Sequence, residues 1–303
     1  MRVIFVHTGY ADYLELAIRQ VLSSNPGCEV ILLGDEKNRC LSHLARHYFL
    51  RNFQTRALAF REQYVHLSTN SIQFERFCFE RWLVLAEFVR MTDLQGSFFM
   101  MDSDVLVYAD LLDLEKHDLS DTDFTICRQW GPQFTYFRSP DICARLADWI
   151  FSIYGDRGQP YLQMTKVFDE YKKAGNQFGG ISDMWALQEF SRKLGPRALD
   201  LGELSDRPYF DENFSQSYGF ILGRDGKSVV WKERIPHYIL QENASLVRVG
   251  GIHFQGSAKM VMRQHYTGSL FLSSPYFIAR TRHYVKRAMR LFGIKRTSKF
   301  NNQ

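Results

Sequence analysis

Asp102 and Asp104 stand one residue apart at the end of an unbroken apolar run, Phe98-Phe99-Met100-Met101, and a second run, Val105-Leu106-Val107-Tyr108, follows them. An apolar run of that length reads as a strand covered on both faces. Acids at the carboxyl end of such a strand lie where open α/β sheets bind their ligands. On an extended segment alternate side chains point the same way, so both carboxylates can face one hard cation. Mg²⁺ or Mn²⁺ held there would neutralise a diphosphate as it leaves. The plainer reading is a turn with two solvated aspartates, since DxD is a short and common string. Two acids between buried segments are costly, however, unless something positive neutralises them.

Arg81 is a candidate for that positive group. The segment Ile72–Met91 has the 3.6-residue period of a helix, with Phe74, Phe77, Cys78, Trp82, Leu85, Phe88 and Val89 on one apolar stripe. Glu75, Arg76, Glu80 and Glu87 fall off the stripe, and Arg76 reads as a solvated i+4 partner of Glu80. Arg81 falls inside it, seven residues after Phe74 and four before Leu85. A guanidinium there needs a partner. It forms either a structural ion pair with a buried acid, or a contact in the cleft to a diphosphate or to an Asp of the metal site.

The elements that must position these groups are legible in outline. Val3 to Val6 reads as a strand leaving through His7-Thr8-Gly9-Tyr10, Tyr13 to Leu22 as a helix stopped by Asn25-Pro26-Gly27, and Glu29 to Leu33 as a strand closed by Gly34-Asp35. Strand, helix and strand in that order make a βαβ unit and imply a parallel sheet. Phe98 to Met101 is then expected as the third strand and Phe124 to Cys127 as another. Helices follow near Ile142 to Tyr154 and Ser182 to Leu194, with short strands near Gly219 to Leu222 and Val229 to Trp231. Ser245 to Phe254 is expected as the last strand. The expected fold is α/β: an open, mostly parallel sheet flanked by helices, with a more irregular C-terminal half.

The segment Phe98-Phe99-Met100-Met101-Asp102-Ser103-Asp104 with its βαβ lead resembles the hhhhDxD segment of GT-A-fold glycosyltransferases. The resemblance implies that Asp102 contacts the ribose or the metal, that Ser103 lies in the nucleotide site, and that Asp104 ligates the metal. His253, Gly256 and Lys259 stand in an H-x-x-G-x-x-K spacing that resembles the C-terminal motif of glycogenin-like retaining transferases. There the histidine is a further metal ligand and the lysine contacts the diphosphate. Physically, an imidazole at a strand end can complete a carboxylate site for Mn²⁺, and lysine is a flexible point charge for phosphate. Gly256 would let backbone approach the ligand closely. Alternatively, His253 is a hydrogen-bonded core histidine. Met260-Val261 departs from the Pro-Trp usual after that lysine. An arginine on the helix before DxD is also a feature of these enzymes, which favours the cleft role for Arg81.

The same resemblance places Thr8, Tyr10 and Asp35 against base and ribose, although each is equally suited to a turn or cap. Asp183 opens a helix after Gly179-Gly180-Ile181-Ser182; either Ser182 or Asp183 simply caps that helix, or Asp183 lies beside the acceptor or reacting sugar. The implied layout is a transferase domain over 1–275, with a nucleotide-sugar half at 1–110 and an acceptor half at 111–275. A basic amphipathic tail at 276–303 carries Arg280, Arg282, Lys286, Arg287 and Arg290 among its cations. Such a tail can lie on an anionic membrane, which suits a lipid-linked acceptor, or pack on its own domain.

Net charge of +5 over 303 residues is mild and fits phosphorylated ligands or an anionic surface. Nucleic acid is not expected as a partner, because there is no basic stripe outside the tail. Five scattered cysteines without a CxxC pair argue against a disulfide framework or a zinc site and for a reducing compartment. The first apolar run is too short for a signal peptide or a membrane span, so a cytoplasmic home is expected. The leading expectation is metal-dependent transfer from a nucleotide-sugar, a UDP-sugar foremost, to a glycan or lipid-linked hydroxyl with retention. The alternatives are a haloacid-dehalogenase-type phosphatase, whose DxD sits on the first strand of its core, and a nucleotide- or sugar-binding protein without turnover.

Overall fold

The computed structural model describes residues 1–176, 179–268 and 275–281. The first third runs β1 (Arg2–Val6), α1 (Asp12–Ser24), β2 (Glu29–Gly34), β3 (Arg46–Phe49), α2 (Thr55–Gln63), α3 (Ile72–Met91), β4 (Phe98–Met101), β5 (Val105–Val107) and α4 (Leu111–His117). Then come β6 (Phe124–Ile126), β7 (Phe134–Phe137), α5 (Pro140–Asp156), α6 (Gln159–Lys173) and α7 (Asp183–Leu194). The remaining strands are β8 (Ala198–Asp200), β9 (Tyr209–Phe210), β10 (Val229–Lys232), β11 (Ile235–Ile239) and β12 (Leu246–His253). Of the expected tail, residues 282–303 lie outside the described residues, so its membrane role does too. No helix among the described residues is long and apolar enough to cross a membrane.

Seven strands form the central sheet in the order β3-β2-β1-β4-β7-β6-β8. It is mostly parallel: β1 pairs in parallel with β2 and β4, β2 with β3, and β6 with β8, while β7 is antiparallel to both neighbours. The α/β expectation holds. Alternation along the buried strands divides the core into two layers. Val3, Phe5, Val30, Leu32, Phe99 and Met101 face one side with α1, α4 and the second sheet. Ile4, Val6, Ile31, Leu33, Phe98 and Met100 face the other with α3, α5 and α7.

The second sheet runs β10-β11-β12-β5, with β9 added to β12. β5 enters it at once from the central sheet, and pairs antiparallel with β12 through Val105↔His253, Leu106↔Ile252 and Val107↔Gly251. The boundary expected at 110 therefore falls after the chain has already crossed to the second sheet.

Several expectations need correction. Phe98–Met101 is the fourth strand, because β3 precedes it. Near Gly219 to Leu222 there are isolated bridges, Phe220↔Leu240 and Leu222↔Lys227, in place of a strand. The chain folds back there, with Gly223 N–H donating to the Gly226 carbonyl at 2.7 Å, before a ladder can form. The helix α3 has the expected bounds and its Ser71 cap, but the stripe is different. Phe74 is 59% exposed, whereas Glu75, Glu80 and Glu87 are buried. α3 is covered on several sides, and its acids stay inside because each has partners. Arg61 and Arg76 hold Glu80, Asn70 and Ser68 bond Glu75, and the Arg56 N–H reaches Glu87. Arg76 is the expected partner of Glu80, on a buried acid in place of a solvated one.

Candidate functional site

The two motifs meet because β5 pairs with β12. Asp102-Ser103-Asp104 is a tight turn carrying the chain from one sheet to the other, with Val105 N–H donating to the Asp102 carbonyl at 3.3 Å. The extended backbone expected for this triplet is thereby corrected: leaving β4 for another sheet needs a change of direction. The turn is pinned on both flanks. Asp102 N–H donates to the Gln133 carbonyl at 3.0 Å, and Phe254 N–H donates to the Asp104 carbonyl at 2.9 Å. Since Val105 is the register partner of His253, that imidazole must arrive beside the aspartates.

Asp102, Asp104 and His253 each offer one ligand atom within 4.8 Å of the others. His253 is 7% exposed. Its Nδ1 lies 2.6 Å from the Glu212 carbonyl, a contact that needs the proton on Nδ1, and its Nε2 lies 3.4 Å from Asp104 Oδ1. A carbonyl behind one ring nitrogen is how proteins orient a ligand imidazole. Two carboxylates and an imidazole form a donor set that suits Mn²⁺ or Mg²⁺, so the residues fit the expected metal.

The charges are arranged around that cluster. Lys259, on the 3₁₀ turn Gly256–Met260, pairs with Asp104 Oδ2, and its ammonium lies 5.3 Å from the centre of the Tyr13 ring. Burial disfavours the Asp104 carboxylate, but His253 and Lys259 outweigh it and hold that carboxyl well below its usual range. Burial likewise disfavours His253 imidazolium, and Asp104 outweighs it, so the imidazole is pushed up to about 9. Arg81 pairs with Asp102 through one nitrogen and with Asp183 Oδ2 at 2.8 Å through another. Arg81 thus contacts both a buried acid and an Asp of the cluster. Trp82 Nε1 donates to the same Asp183 oxygen at 2.9 Å, leaving Asp183 2% exposed. Ser182, not Asp183, caps α7, accepting from Met184 N–H.

The remaining expected residues lie at neighbouring strand ends. Ser103 Oγ is 3.0 Å from His7 Nδ1. Burial lowers the His7 imidazole to about 4, against the pull of Asp104, Asp35 and Asp102. Asp35 accepts from Gly9 N–H at 2.7 Å and from Lys37 N–H at 2.9 Å, which is turn chemistry. Tyr10 donates to Glu15, and Thr8 is exposed at the β1 exit. Gly256 has φ +60°, with open space where a Cβ would stand.

Three neighbours of the cluster were not singled out from the sequence: His7, the Glu212 carbonyl, and the buried pair Asp211–Lys227 beside it. His7 ends the first strand, so its position was readable. A backbone carbonyl has no side-chain signature, and nothing in Arg224-Asp225-Gly226-Lys227 marks an inward-facing lysine.

No protein-family model matches this chain, and no curated protein matches it. Among solved structures it is similar to the galactosyltransferase LgtC with donor and acceptor sugar analogues, at 14% identity and a TM-score of 0.44 over 92% of this chain and 100% of that one. Mouse xyloside xylosyltransferase 1 gives 9% identity and 0.43 over 66% of this chain and 84% of that one. The glycosyltransferase GlyE of Streptococcus pneumoniae TIGR4 gives 15% and 0.40 over 99% and 65%. Likenesses at this level decide nothing about what the site does.

Proposed function

We propose that this protein is a metal-dependent glycosyltransferase that takes a sugar from a nucleotide-sugar, a UDP-sugar foremost, and passes it to a hydroxyl of a glycan or lipid-linked acceptor. The observation that carries this reading is the convergence of Asp102, Asp104 and His253 with Lys259 and Arg81 on one turn between two sheets. When bound, Mn²⁺ or Mg²⁺ held by those three residues supplies Lewis-acid stabilisation of the leaving diphosphate.

The chain's own groups prepare the site for an anion. Three carboxylates, Asp102, Asp104 and Asp183, stand against Arg81, Lys259 and protonated His253. With a divalent cation in place of the His253 proton, the cluster would carry a net positive charge, suited to a diphosphate. Lys259 would then turn from Asp104 to the phosphate oxygens, an electrostatic role more than a proton-transfer one. We assign Asp183 to holding Arg81. An inverting reaction needs a base open to the acceptor, and Asp183 is buried under two donors, so retention is the outcome we propose.

The test is binding of Mn²⁺ and UDP, followed by a panel of nucleotide-sugars, by thermal shift and calorimetry. The parent should be stabilised by about 2.7 kcal/mol at a hundredfold excess over Kd. Asp102→Ala and Asp104→Ala should lose that response. Variants that still bind Mn²⁺ and UDP like the parent would refute the reading. Donor hydrolysis in the presence of Mn²⁺ then separates an enzyme from a non-catalytic binder.

A further inference from the structure

Lys227 and Asp211 form an ion pair with no side-chain exposure on either partner. The Lys227 ammonium donates to Asp211 Oδ1 at 2.8 Å and to the Asn213 carbonyl at 2.6 Å. Tyr238, on β11, donates to the other Asp211 oxygen at 2.9 Å. Stability alone does not account for such a pair, because apolar residues of similar volume usually serve as well or better.

Its geometry offers another account. Asp211 and Asn213 flank Glu212, so Lys227 grips the loop on both sides of the residue whose carbonyl accepts from His253 Nδ1. Backbone bonds run the same loop along the end of β12: Asp211 N–H to the Gly251 carbonyl at 2.9 Å and Phe214 N–H to the His253 carbonyl at 3.0 Å. Lys227 N–H closes the bracket on the Phe214 carbonyl at 2.9 Å.

We propose that Lys227 and Asp211 are positioning residues for the metal centre, holding the Glu212 carbonyl on His253 Nδ1 so that Nε2 faces Asp102 and Asp104. The inference rests on the reading of His253 as a metal ligand. Groups that orient a ligand imidazole from behind are worth about 10- to 100-fold in metal affinity.

The experiment is Mn²⁺ titration of the full chain by calorimetry, with Tm measured alongside. Asp211→Leu combined with Lys227→Met removes both charges and fills their place with apolar side chains. It should fold and lose about 10- to 100-fold in Mn²⁺ affinity. The neutral, still hydrogen-bonding combination Asp211→Asn with Lys227→Gln should recover most of it, which a merely structural role would not predict. The ¹⁵N shifts of His253 in the Zn²⁺-loaded protein should report a fixed Nδ1–H tautomer in the parent and a mixture in the apolar variant. A folded apolar variant that binds Mn²⁺ within about twofold of the parent overturns the proposal, the lower edge of the effect being tenfold. If that variant does not fold, Tyr238→Phe withdraws one bond from Asp211 and leaves both charges. Weaker Mn²⁺ binding at unchanged Tm then supports the proposal, and parent affinity overturns it. Asp102→Ala in the same assay separates the two claims. If the parent binds no Mn²⁺, or Asp102→Ala binds like the parent, the metal reading falls and takes this one with it.

Discussion

Arg81 joins an acid of the proposed metal site to the buried Asp183, so removing it affects both. Arg81→Ala leaves the Asp183 carboxylate buried with Trp82 as its remaining side-chain donor among the described residues, and should lower stability by about 3–5 kcal/mol in urea unfolding. Arg81→Lys should recover part of that stability and little UDP binding, since one ammonium cannot span both acids. His265 makes a pH prediction. Its ring packs on Phe214 and Phe254, Nδ1 has no partner among the described residues, and burial lowers it to about 4. The folded chain keeps this imidazole neutral, whereas the unfolded chain takes up a proton near pH 6.5. Stability should therefore fall as pH drops from about 6.5 towards 4, and His265→Phe should flatten that loss by about 3 kcal/mol at most. Chemistry at this scale was legible where side-chain types advertise it: Asp102, Asp104, His253, Lys259 and the misplaced Arg81. It was illegible where the proposed support comes from a backbone carbonyl, as at Glu212, or from a lysine turned inward, as at Lys227.

Elements were legible in proportion to how continuous their apolar pattern is. β4 is buried throughout, β1 and β2 in all but their first residues, and α3 runs between the residues its period marks. α6 was missed although Tyr161, Met164, Phe168 and Tyr171 recur at helical spacing, because Met164 is the one residue of that stripe that is fully buried. β3 was missed because it is short and at most half-buried, and β5 was left out of the expected strands although Val105-Leu106-Val107-Tyr108 is as apolar as the run before the turn. The face of α3 was misread because pairing with Arg61 and Arg76 lets Glu80 stay inside. The 3₁₀ turn that presents Lys259 yields its own prediction. Gly256→Ala meets no atom but must adopt φ near +60°, which should lower stability by about 1 kcal/mol by calorimetry. If UDP affinity falls far more than stability, the ligand lies against the missing Cβ. Equal small effects would make Gly256 a requirement of the backbone alone.

At the scale of the whole molecule, the two sheets share one core. Val3 and Phe5 of the central sheet belong to the same buried cluster as Tyr238, Val249 and Ile252 of the second. The proposed nucleotide and acceptor halves should therefore not melt separately. Scanning calorimetry should show a single transition, and residues 1–110 expressed alone should remain unfolded, since β5 would lack β12. The order of the chain adds a consequence for biosynthesis. The paired acids leave the ribosome about half a chain length before the histidine and lysine that meet them. While β12 is still unmade, the growing polypeptide carries Asp102 and Asp104 without two of their three cationic partners. Completion of β12 is the event that brings His253 and Lys259 onto the two carboxylates and, on the proposed reading, turns a hydrated pair of acids into a binding site.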